Sequence, residues 1–222
     1  MSVFNKYPKE GNLLRSLRKL SELEKARIAE IYQVSHSKWL EQVDKIAAAG
    51  GLKYLLIGEA PPWSESGNVN YFYNSDTTPS NFMTSLSKAF FGELLYKKIG
   101  YENTLDELAK RGFLVCDSLP FAIDYSSGGL RNKTKYGELV KICTQSHLMQ
   151  SLSIQNARCE GGLFADGVKV AFSLRRNANA IIETLNGVLR LSTQSIPISE
   201  TNIATSKAHY LSAVELRRVF GL

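Results

Sequence analysis

Cysteine is scarce in this chain of 222 residues, which has three: Cys116, Cys143 and Cys159. They are odd in number, lie in apolar or helical surroundings and show no Cys-x-x-Cys or Cys/His spacing. That pattern excludes a disulfide scaffold, a zinc site and an iron–sulfur cluster, and it fits a reducing cytoplasm. Long apolar runs are missing too. No stretch approaches the ~20 apolar residues of a membrane span, and Met1 to Glu10 carries charges and Pro8 but no apolar signal core. Internal repeats, low-complexity tracts and linkers are also absent. The expectation is one soluble, monomeric, cytoplasmic domain over 1–222, with 1–50 a helical lead-in and 51–222 an α/β core.

Acidic residues are outnumbered: 27 Lys plus Arg face 21 Asp plus Glu, for a net charge of +6 and an isoelectric point near 9.2. A mildly basic surface suits a polyanionic partner such as nucleic acid, and is equally that of an ordinary soluble protein.

From Asn12 to Ala49 apolar residues recur at helical spacing, and Ser21-Glu22-Leu23-Glu24 has the spacing of a capping box. His36 and Trp39 read as packing residues on this lead-in. Gly50-Gly51 ends it. Tyr54-Leu55-Leu56-Ile57 then forms a buried parallel strand that stops at Gly58, Glu59, Ala60 and the double proline Pro61-Pro62, through which no helix can run. Open α/β sheets place their ligands at the carboxyl ends of strands, which makes Glu59 the first candidate.

The loop that follows, Pro62 to Asn74, holds Trp63, Tyr71, Phe72 and Tyr73 among small polar residues. These rings either stack on a flat substrate or pack along a short strand. Phe82, Leu86, Phe90 and Leu94 predict helix over Asn81–Ile99, and Thr104-Leu105-Asp106-Glu107 offers another capping box. Phe113 to Cys116 repeats the first strand's design by stopping at a carboxylate, Asp117. Asp124 to Lys135, with Arg131, Lys133 and Lys135, reads as an exposed loop that either touches phosphates or is simply solvated. A long helix is expected from Gly137 to Cys159, with His147 a surface or packing residue on it.

After Gly161-Gly162 come a strand at Val168–Phe172, a helix at Asn177–Leu189, a fourth strand at Thr201–Thr205 and a final helix capped at Ser212-Ala213-Val214-Glu215. His209 falls in the strand-to-helix loop before that cap. The order gives a four-stranded, mainly parallel sheet between helical layers, with Glu59, Asp117 and His209 at one edge.

In this order the motifs resemble the uracil-DNA glycosylase superfamily. Gly58-Glu59-Ala60-Pro61 is similar to the GEAPG motif of its bacterial and archaeal branches, whose acidic residue positions or activates the attacking water. Tyr71-Phe72 resembles the pair whose aromatic ring stacks on the extruded base. Asp117 stands at the strand end that commonly carries an Asn to read the base edge. Lys207-Ala208-His209-Tyr210-Leu211-Ser212 stands where an HPSPLS-type motif places a His that stabilises the leaving base and a Leu that wedges into the duplex. Pro62 replaces that first motif's last Gly, Tyr71 a Pro, Asp117 the Asn and Tyr210 the Pro after His.

The resemblance implies a three-layer sandwich and a DNA-repair N-glycosylase that removes a deaminated or damaged base with water. Glu59 and His209 would be catalytic; Gly58, Ala60, Pro61, Phe72, Asp117 and Leu211 would bind substrate, with no metal or organic cofactor. An ionised Asp117 only accepts hydrogen bonds, so it would favour a base that presents donors. Two alternatives remain open: a catalytically silent nucleic-acid or nucleotide-binding protein of the same fold, and an α/β hydrolase-like or nucleotide-processing enzyme acting on a small substrate. For Leu211 the alternative role is a hydrophobic staple beside the Ser212 cap.

Overall fold

Local sequence signals set the amino-terminal layer. The computed structural model describes residues 2–64, 68–123, 133–173 and 212–222. Within the first span, α1 (Val3–Lys6), α2 (Pro8–Leu17) and α3 (Glu22–Ala48) form the helical lead-in. The expected capping box is present: Glu24 N donates to Ser21 Oγ at 3.2 Å, and Ser21 N donates to the Glu24 carboxylate at 2.8 Å. Two otherwise orphaned donors are thereby satisfied. Gly50 and Gly51 end α3 with φ of +100° and +93°, a conformation that costs any other residue energy, and β1 begins at once.

The sheet has three parallel strands among the described residues: β1 (Leu52–Gly58), β2 (Phe113–Asp117) and β3 (Phe164–Phe172), in the order β2-β1-β3. β1 is central, which is why it reads as an unbroken apolar run. Its register pairs Leu56 with Val115 and Ala171, and Gly58 with Asp117. Since side chains alternate along a strand, Tyr54, Leu56 and Gly58 share one face with Phe113, Val115 and Asp117.

On that face the rings of Tyr54, Phe90, Phe113 and Phe220 cluster with centroids 5.2–6.2 Å apart, drawing in α4 (Asn81–Phe91) and the carboxyl-terminal helix. On the other face Trp39 of α3 packs behind β2, with Nε1 3.1 Å from Cys116 Sγ.

Several expected boundaries move. The helix over Asn81–Ile99 breaks at Gly92, a left-handed cap with φ of +77°, and resumes as α5 (Leu95–Ile99). The capping box at Thr104 does not form, because Gly100 opens α6 (Tyr101–Lys110) earlier. Thr104 is an interior residue of that helix, its Oγ1 donating to Gly100 O at 2.8 Å. The long helix starts at Lys133 rather than Gly137, running through α7 (Lys133–Cys143), a π-turn (Thr144–Met149) and α8 (Gln150–Arg158). β3 starts at Phe164, with a register shift against β1 between Leu52 and Tyr54.

The final helix, α9 (Ala213–Phe220), is capped as its sequence predicts, Glu215 N donating to Ser212 Oγ. The fourth strand at Thr201–Thr205 and the helix at Asn177–Leu189 lie outside the described residues, so the sheet stands at three strands. No helix among the described residues is long and apolar enough to cross a membrane.

Candidate functional site

Parallel strands deliver their ends to one edge. Glu59 follows β1, Asp117 ends β2 and Ser173 follows β3, tied in by a hydrogen bond from Ser173 N to Ile57 O at 2.9 Å. Beyond the strands the β1 and β2 chains stay paired: Ser118 N donates to Gly58 O, Leu119 N to Glu59 O, Ile123 N to Pro61 O and Trp63 N to Ile123 O, all within 3.2 Å. The double proline removes two donors, yet the carbonyls of Glu59 and Pro61 still find partners. Glu59 therefore sits on held backbone, not on a loose loop. Gly58 is required beside it, because a Cβ there would collide with the Asp117 carboxylate.

Above these strand ends lies a cavity of about 460 Å³, within the ~300–1,000 Å³ range of small-molecule sites. Leu56 and Val115 form its apolar floor, Gly58, Glu59, Asp117 and Ser173 its polar wall, and Phe72 and Phe82 its far side.

The aromatic loop divides its rings between the two roles the sequence left open. Tyr71 and Tyr73 are buried and pack, the Tyr73 hydroxyl accepting from Val115 N. They form no strand; residues 72 and 73 are a turn. Phe72 is half-buried and lines the cavity, its ring tilted 53° against Phe82 at 5.0 Å. The Tyr101 hydroxyl donates to Phe72 O at 2.6 Å, and Asn74 Nδ2 to Val69 O at 2.8 Å, so the loop is braced from inside.

The two carboxylates are held differently. Glu59 is buried, and the Tyr136 hydroxyl of α7 donates to its Oε1. Asp117 is pushed up to about 7, first by burial and then by the neighbouring Glu59 charge. Both effects hold back ionisation of Asp117, and in its neutral form the side chain would donate as well as accept.

Neither Tyr136 nor Ser173 was found from sequence. Tyr136 carries no motif and follows the basic stretch directly. Ser173 had a usable signal, the strand-end position that singled out Glu59 and Asp117.

Ala60 lines the cavity as expected, but Pro61 does not. The chain turns Pro61 toward a separate crevice of about 30 Å³ that it shares with His36, Trp39, Tyr71, Asp117 and His147. His36 stacks between Tyr32 and Trp39, at 5.3 Å and 5.9 Å. His147 is hydrogen-bonded to the Tyr7 hydroxyl at 3.1 Å, and burial, with the charges of His36 and Lys6, lowers it to about 3. Both histidines pack among aromatic rings. His209, Leu211 and Arg131 lie outside the described residues.

The chain matches no known family, no characterised protein and no solved structure to which it was compared. A buried carboxylate, a second acid whose ionisation burial disfavours and a half-buried ring around an apolar floor suit a flat, polar-edged ligand and a polarised water.

Proposed function

We propose that the chain is an N-glycosylase that extrudes a deaminated or damaged base from DNA and cleaves its bond to the sugar with water. The observation that carries this reading is the convergence of Glu59, Phe72 and Asp117 on one cavity at the carboxyl edge of a parallel sheet. In this mechanism Glu59 orients and polarises the attacking water, kept in place by the Tyr136 hydroxyl. Phe72 stacks on the extruded base, offsetting part of the few kcal/mol that unstacking costs. Asp117 meets the base edge. His209 stabilises the negative charge that develops on the departing base, and Leu211 fills the gap left in the duplex. The proposal includes a fourth strand at Thr201–Thr205, a uracil-DNA glycosylase-like sandwich over the whole chain, and a cytoplasmic monomer that binds DNA through its basic excess.

A second reading is a silent binder on the same cavity. It is favoured by Tyr136, whose hydroxyl already occupies Oε1 of Glu59, an oxygen that a water would otherwise use. Incubating the full chain with single- and double-stranded oligonucleotides that each carry one modified base separates the two. Base release that is lost in Glu59→Gln supports the glycosylase; binding without release from any substrate overturns it in favour of the binder.

A further inference from the structure

Asp117 and Glu59 reach the cavity from adjacent strands, and no side chain can be placed at Gly58 between them without meeting the Asp117 carboxylate. Asp117 faces Glu59 from the end of β1, the buried hydroxyls of Tyr71 and Tyr73 from the loop, and Cys116 from its own strand. Across the small crevice it faces His36 of α3 and His147 of the π-turn. Burial lowers the proton affinity of both histidines and so disfavours a cation at either. Among the described residues, then, Asp117 has a second carboxylate beside it and only these two imidazoles opposite. Two carboxylates crowded into one desolvated wall do not both ionise readily.

The form in which Asp117 meets a ligand decides what it can read. A carboxylate offers acceptors alone, whereas a carboxylic acid offers one O–H donor and one C=O acceptor, the same pattern as a side-chain amide. We propose that Asp117 recognises its ligand as a neutral acid, so that the cavity selects a planar heterocycle with a donor beside an acceptor and releases it as Asp117 ionises. Phe72 covers the face of such a ring, and Leu56 and Val115 floor the space it enters. The assignment rests on reading this cavity as the base-binding site, but not on cleavage.

The test is calorimetric titration of the full chain with free uracil, whose N–H lies between two C=O groups, at pH 5.5 and 8.5. The controls are 1,3-dimethyluracil, which has no N–H, and Asp117→Asn, checked for an intact melting transition. Wild type is expected to bind uracil about tenfold or more tightly at pH 5.5 than at 8.5. Dimethyluracil should bind more weakly at pH 5.5, and Asp117→Asn should flatten the pH dependence. Equal wild-type affinity at both pH values, the same pH dependence in Asp117→Asn, or no uracil binding at either pH each overturns the proposal. Should uracil bind with the expected profile while no oligonucleotide is cleaved, the glycosylase reading falls and the assignment of Asp117 stands. Cleavage together with pH-independent uracil binding gives the reverse.

Discussion

On the α3 side of the sheet, Tyr32, His36 and Trp39 stack in sequence and leave only about 30 Å³ beside Asp117. On the α4 side the rings of Tyr54, Phe90, Phe113 and Phe220 fill the space along the strands, but about 460 Å³ stays open at their carboxyl ends. The difference lies in what stands at those ends. Trp39 and His36 close one side, while Gly58 and Ser173 are too small to close the other. Filling supports stability and the open end leaves room for a ligand, and Asp117 lies on the boundary of both spaces.

Substitutions can break that division or sharpen it. The largest effect is expected from Glu59→Gln, which keeps an oxygen for the Tyr136 hydroxyl but removes the carboxylate that would polarise water in the proposed reaction. Single-turnover base release should fall by about 10²–10⁴ with the melting temperature unchanged or raised. Loss of stability without loss of rate would place Glu59 with the packing side instead.

Trp39→Ala is the converse. It empties a buried indole site and removes the bond to Cys116, so urea denaturation should show a loss of roughly 3–5 kcal/mol.

Asp117→Asn tests the boundary. The proton affinity of Asp117 is raised in the folded chain, from 3.8 to about 7. The stability it contributes is therefore present in full below about pH 4, where both states are protonated, and is lost as pH rises through about 7. Over that window Asp117→Asn should gain on wild type by up to about 4 kcal/mol, at 1.36 kcal/mol for each pH unit. A difference between the two that does not change with pH would show that Asp117 is ionised throughout.

The smallest effect is expected at Phe72, which is half-buried and packs on Phe82. Phe72→Ala should weaken binding of single-stranded oligonucleotides by about 1–3 kcal/mol, the range of one base–aromatic stack, in fluorescence titrations. Equal binding would return Phe72 to the packing role the sequence left open.

Much of this was legible in sequence because it is local. The capping box at Ser21, the cap at Ser212, the stop at Gly50-Gly51 and the two apolar strands ending in carboxylates depend on neighbours a few residues away. Where two local signals competed, sequence gave no ranking. Gly100 displaced the box at Thr104, since one left-handed glycine ended α5 and began α6.

By itself, then, the sequence determined most of the turns and caps, and that Glu59 and Asp117 stand at the ends of apolar strands, because these follow from short-range sterics and alternation. Only the tertiary structure decided that Tyr136, 77 residues from Glu59, would donate to it. It also decided that Pro61 turns away from the cavity while Phe72 faces it, and that burial and the neighbouring Glu59 raise the proton affinity of Asp117. The reason is physical: hydrogen bonds across the fold and the loss of water around a carboxylate depend on which distant elements pack together, and no local window of sequence carries that information.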